Sequence, residues 1–175
     1  MIVKKVPNPK KSASKAQRIG QLTSYVRSPE SESPQEKCLY AGARGVMMDD
    51  PKSQTAEMIA LSQEAVRSKD TINHYVLSWR EGEQPSPEQV EEAVSIFMDE
   101  LGWKDHQAIY GLHSDTDNIH LHIVINRVHP ETLKIVEKNR GFDIELAHKA
   151  IARIEHAQGW QREQNGRYQV LENGE

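Results

Sequence analysis

Residues 119–127, IHLHIVINR, alternate between aliphatic and polar side chains and read as a β-strand. Successive side chains of a strand point to opposite faces. Ile119, Leu121, Ile123 and Ile125 therefore form one aliphatic face that belongs in a core. His120, His122, Val124 and Asn126 share the other. Two residues apart on a strand, His120 and His122 sit roughly 7 Å from each other at Cα, close enough to reach one metal ion. The preceding strand candidate, 107–113, is joined to this one by a short polar turn, SDTDN. That spacing predicts an antiparallel hairpin, which folds His113 back towards His120 and His122. The expected result is a three-imidazole site with coordination positions left open, and Asp115, Asp117 and Asn118 crowd the turn beside it. An open site of this kind suits Lewis-acid chemistry on a phosphoryl or carbonyl oxygen. No helical His-Glu-x-x-His and no glycine-rich phosphate loop occurs, which points away from metalloprotease and P-loop chemistry.

The rest of the chain supplies helices and further strands. Residues 14–26 place Ala16, Ile19, Leu22 and Val26 at helical spacing. Residues 28–37, SPESESPQEK, read as an exposed loop, and 38–47 as a weak strand broken by Gly42 and Gly45. A helix is expected over 55–67 with Thr55 as N-cap and Glu57 in its first turn, and a strand over 72–79. Ser86, Pro87 and Gln89 form a capping box ahead of Val90, Ala93, Val94, Phe97, Met98 and Leu101, and Gly102 stops that helix. A last helix runs from Asp143, as N-cap, to about Gln158. This order predicts an α+β domain: a largely antiparallel central sheet carries the His-hydrophobe-His strand, and helices stack on one face. Residues 1–175 read as a single domain. The polar end NGRYQVLENGE looks like the boundary of a longer protein.

No apolar stretch is long enough for a membrane span, and the N-terminus lacks the apolar core of a secretory signal. The lone Cys38 has no partner for an internal disulfide, which suits a reducing compartment. A net charge of −4 is unpromising for nucleic acid, but the charge is unevenly spread. Residues 1–27 hold seven basic side chains and no acidic one, so Lys10, Lys11, Lys15, Arg18 and Arg27 are candidates for phosphate contacts.

The segment GLHSDTDNIHLHIVINRVHP, residues 111–130, resembles the third motif of conjugative relaxases. It is similar above all to the MobA/MobL and TraI-like mobilization nucleases of the MOBP type, within the His-hydrophobe-His endonucleases. HYVLSWREGEQPSPEQVEEAVSIFMDELGW, residues 74–103, matches the strand, loop and helix that lead into that motif. Tyr25, in QLTSYVRSP, stands where such enzymes carry the nucleophile.

The resemblance implies a site-specific single-strand endonuclease and strand transferase acting at an origin of transfer through a 5′-phosphotyrosine. It implies one divalent ion on His113, His120 and His122, with magnesium or manganese activity. Imidazole ligands by themselves suit zinc, cobalt or nickel equally. It further implies single-stranded DNA, accessory relaxosome proteins and a type IV secretion coupling protein as partners, in a bacterial cytoplasm. The general base stays open among Asp115, Asp117 and His74, with Asn126 as a further supporting residue and Ser78 beside His74 on its strand. Two alternatives stand beside this reading. Rep and transposase nicking enzymes share the histidine hairpin but place the tyrosine on a later helix, and the late helix here has none. A non-catalytic, metal-containing DNA-binding module would use the histidines structurally, although structural zinc usually takes four protein ligands.

Overall fold

The computed structural model describes residues 1–9, 13–115, 118–136 and 142–175. The elements run β1 (Ile2–Val6), α1 (Lys15–Arg27), β2 (Lys37–Arg44), α2 (Pro51–Gln63), β3 (Ile72–Ser78), α3 (Pro87–Glu100), β4 (Ala108–Ser114), β5 (Ile119–Asn126) and α4 (Phe142–Gln158). The five strands form one sheet in the order β1-β3-β5-β4-β2, with every neighbouring pair antiparallel. The α+β class and the β4–β5 hairpin are therefore as the alternation predicts. No helix among the described residues is long and apolar enough to cross a membrane.

Helices cover both faces of the sheet, not one. On the aliphatic face of β5, Leu121, Ile123 and Ile125 join Tyr75, Leu77, Tyr110 and Leu112 under α3 and α4. On the histidine face, Val124, Ile72 and Ile109 are also buried, against Ile19 and Val26 of α1 and Met58 of α2. That second apolar patch sits towards one end of the strands, and it needs α1 and α2 as a cover. The histidines occupy the other end of the same face.

Several boundaries move, each for a local reason. β1 was not expected, because its valines and isoleucine are interleaved with lysines. Only pairing with β3 turns Val3 inward. α2 starts at Pro51 because the Asp50 carboxylate accepts from the Ser53 amide at 2.9 Å and Pro51 opens the first turn. Thr55 is then interior, and its hydroxyl meets Thr23 at 3.0 Å across the α1–α2 contact. β2 runs unbroken through Gly42, since the Tyr110 ring lies where a side chain would stand. Asp143 lies inside the first turn of α4, where it accepts from Lys5 and from the Tyr75 hydroxyl. At Gly111 α1 comes close to β4: a Cβ there would overlap the Val26 carbonyl oxygen.

Candidate metal centre and nucleophile

β4 and β5 pair so that His113 faces His120 and Gly111 faces His122. The three imidazoles therefore cluster on one face. His113 is wholly buried, and His122 is nearly so. A fourth group joins them from the segment before β2. Glu36 Oε1 lies 2.9 Å from His113 Nδ1, 2.9 Å from His120 Nε2 and 4.0 Å from His122 Nε2. One ligand atom from each of these four residues lies within 4.8 Å of all the others.

Hydrogen bonds behind the imidazoles decide which nitrogens face inward. His113 Nε2 lies 2.7 Å from the Val26 carbonyl, which can only accept. The proton of a neutral His113 is therefore on Nε2, and Nδ1 presents its lone pair to the cluster. That lone pair meets a carboxylate oxygen at 2.9 Å, an arrangement that repels unless a proton or a cation sits against both atoms. His122 Nδ1 lies 2.9 Å from His74 Nε2, while His122 Nε2 is buried with no hydrogen-bond partner among the described residues. An orphaned imidazole nitrogen aimed at two other imidazoles and a carboxylate is what a divalent ion would satisfy. The donor set, three nitrogens and one oxygen, fits such an ion. Burial, reinforced by the neighbouring imidazoles, lowers the His122 pKa to about 2, so this ring stays neutral and able to ligate. Burial, then the charges of Arg18 and His113, lowers His74 to about 4.

Tyr25 reaches the same place from α1. Its hydroxyl donates to Glu36, at 3.0 Å from Oε2 and 3.2 Å from Oε1. Its ring stands edge-on to His113 and His122, with centroids 5.3 and 5.4 Å away. Burial, and then the Glu36 carboxylate, push the Tyr25 hydroxyl well above its ordinary pKa. Burial works against the Glu36 charge, but the close contacts with His120, His113 and Tyr25 outweigh it and hold the carboxyl below its usual range. Tyr40 and Tyr168 lie elsewhere. A bulge between Cys38 and Tyr40 turns Tyr40 to the opposite face, where it donates to Glu91, and Tyr168 donates to Glu145 on α4.

The remaining expected residues divide. His74 backs His122 directly. Asp115 is exposed and closes the hairpin turn, accepting from the Asn118 amide at 2.9 Å. Asn126 is buried away from the histidines, bonded to the Met58 carbonyl and to Gln107. Asp117, Lys10 and Lys11 lie outside the described residues. Lys15 donates to the Ser62 and Ala65 carbonyls at the end of α2, Arg18 pairs with Asp70, and Arg27 bonds Pro51, Gln54 and Thr55. These three cations therefore join α1 to its surroundings. Sequence reasoning missed Glu36, which sits in the loop read as exposed yet is 9% accessible. The signal available was its place just ahead of a strand whose Cys38 pairs with His113, and that pairing is tertiary information.

A family profile described as relaxase, MobA/VirD2-like, nuclease domain, matches residues 25–160. Protein MobA of Acidithiobacillus ferrooxidans is 91% identical over 118 residues, 67% of this chain and 29% of that protein. A protein TraI of Escherichia coli is 32% identical over 131 residues, covering 74% of the chain and 17% of the relative. A second TraI from the same organism is 29% identical over 143 residues, covering 81% and 19%. The chain thus spans less than a third of the length of each of these relatives.

Proposed function

The chain belongs to the MobA/VirD2-like relaxases through their nuclease domain, and on that premise we propose that it nicks one DNA strand at an origin of transfer, with Tyr25 as nucleophile. The observation that supports this most is the convergence of the Tyr25 hydroxyl, the Glu36 carboxylate and three imidazoles on one point. His113, His120 and His122 would hold a divalent ion, with Glu36 beside them, and the ion would supply positive charge to a non-bridging phosphate oxygen.

The chain's own groups account for the proton and the bond changes. Tyr25 Oη attacks phosphorus, the bond to the 3′ oxygen breaks, and a 5′-phosphotyrosine forms. Glu36 Oε2, 3.0 Å away, takes the hydroxyl proton. Before an ion is bound, burial and then this carboxylate keep the proton on Tyr25. The departing 3′ oxygen takes up the proton that Glu36 received and ends as a hydroxyl. The phosphodiester energy is kept in the tyrosine ester, so attack by a 3′-hydroxyl reverses the step and joins strands. Lys10 and Lys11 remain phosphate-binding candidates by sequence. Accessory relaxosome proteins and a secretion coupling protein belong to the same reading.

The test is incubation with a labelled single strand of the origin and a divalent metal, followed by a denaturing gel. The wild type is expected to form a covalent adduct. Tyr25→Phe, which loses only the hydroxyl, is expected to fold and form none. An undiminished adduct in Tyr25→Phe would remove Tyr25 from the mechanism.

A further inference from the structure

A cleft of about 490 Å³ opens beside the proposed nucleophile and has no part in the chemistry above. Its lining brings Val6, Pro7 and Pro9, where the chain leaves β1, together with Leu22 and the ring of Tyr25 on α1. Most of this lining is apolar. Arg18 also contributes, but its guanidinium is paired with Asp70 at 2.8 Å, so the cleft offers little free positive charge to a phosphate. Three polar groups remain, the exposed Gln21 amide, the exposed Glu32 carboxylate and the buried His74 ring.

The state of His74 follows from the metal centre. For His122 Nε2 to ligate, its proton must be on Nδ1, and Nδ1–H then donates to His74 Nε2 at 2.9 Å. His74 therefore carries its own proton on Nδ1. The ring is only 7% exposed and lines the cleft. The cleft thus combines flat apolar surfaces with an imidazole N–H donor, an amide that can donate or accept, and a carboxylate that accepts from a base amino group.

We propose that this cleft is a nucleobase pocket, which takes one unpaired base of the DNA strand next to the phosphate that Tyr25 attacks. The proposal rests on the reading of Tyr25 as nucleophile. A base has apolar faces and hydrogen-bond acceptors on its edge, and it is tethered close to its phosphate. The proline rings, Leu22 and Tyr25 supply surface for the faces, and His74 Nδ1–H and Gln21 meet the edge. Holding that base fixes the position of the neighbouring phosphate, and it reads sequence where phosphate contacts do not.

The test measures affinity by fluorescence anisotropy in manganese, with a methylene in place of the 3′ oxygen at the nick so that no cleavage occurs. The probe is a fluorescein-labelled origin single strand, intact or with an abasic residue placed at each position in turn. Wild-type protein is expected to lose about tenfold at one position near the nick, the scale of one stacked base. Paired Pro7→Gly and Pro9→Gly substitutions remove the stacking surface and should bind the intact strand about tenfold more weakly. The abasic residue at that position should then cost nothing more. Gln21→Ala, on the exposed face of α1, serves as a second variant and should reduce the same single penalty. No abasic penalty in the wild type, or the same penalty in wild type and variants, would overturn the pocket. Adduct formation in metal is measured separately, so failure of the nicking reading shows as a missing adduct with the binding pattern intact.

Discussion

Glu36 does two jobs with one carboxylate, and this makes it the most informative residue to change. Oε1 faces the imidazoles and Oε2 accepts from Tyr25. In Glu36→Gln the amide cannot take a proton, and the adduct should form about 100-fold more slowly. Single-turnover assays on the origin strand check this, and a rate within a few-fold of wild type would pass the base to another group. His74 acts one bond further out, by fixing which nitrogen of His122 faces the centre. His74→Ala should weaken metal binding by about 10- to 100-fold, read by titration calorimetry with manganese, because outer partners of ligating imidazoles have effects of that size. Unchanged affinity would mean that His122 orients itself. The three histidines could be read from sequence because alternation and one short turn suffice to bring them together. Tyr25 came from a resemblance in motif order. Glu36 could not be read, since it is one of several glutamates in a polar loop and only the β2–β4 pairing singles it out.

Helix α1 is the element on which the site depends, and its contact with β4 is set by the absence of one side chain. At Gly111 the last turn of the helix comes close enough for the Val26 carbonyl to accept from His113 Nε2. The same approach carries Tyr25 over the histidines. Gly111→Val must push α1 outward, at a cost of about 1–3 kcal/mol for overpacking. It should also abolish the adduct while the protein remains folded by circular dichroism. Adduct formation at the wild-type rate would show that the helix position is not what sets the nucleophile. Elements with strong local signals were legible at this scale: the capping box of α3, the alternation of β5 and the turn between β4 and β5. β1 and the start of α2 were not. A lysine-rich pentapeptide becomes a strand only when β3 offers it an edge, and a threonine inside a helix looks like a cap until the aspartate before it is seen to bind the first turn.

The whole molecule encloses several imidazoles that are neutral in the fold, and this sets its response to acid. Burial lowers His106, whose Nδ1–H donates to the Asn126 carbonyl at 2.7 Å, as well as His74, to about 4, and His122, to about 2. In the unfolded chain each titrates near about 6.5. Between that value and the folded one the unfolded state binds more protons, so stability rises with pH across the window. The contribution is complete above about pH 6.5 and is lost as the pH falls towards about 4. Glu36, Glu91 and Asp143 are also depressed, but they act lower, where carboxylates take up protons. Metal-free protein should therefore show a melting temperature that holds above neutrality and falls steadily from about pH 6.5 to about 5. The single-face packing expected from sequence would have left such imidazoles in solvent. The cover of α1 and α2 over the histidine face encloses His74 and His122 and makes the effect large. His106→Gln removes one titrating group while an amide can still donate to the Asn126 carbonyl, so its melting temperature should fall less over the same window. A flat wild-type profile from about pH 7.5 to about 5 would mean that these imidazoles are as free to protonate in the fold as in the unfolded chain.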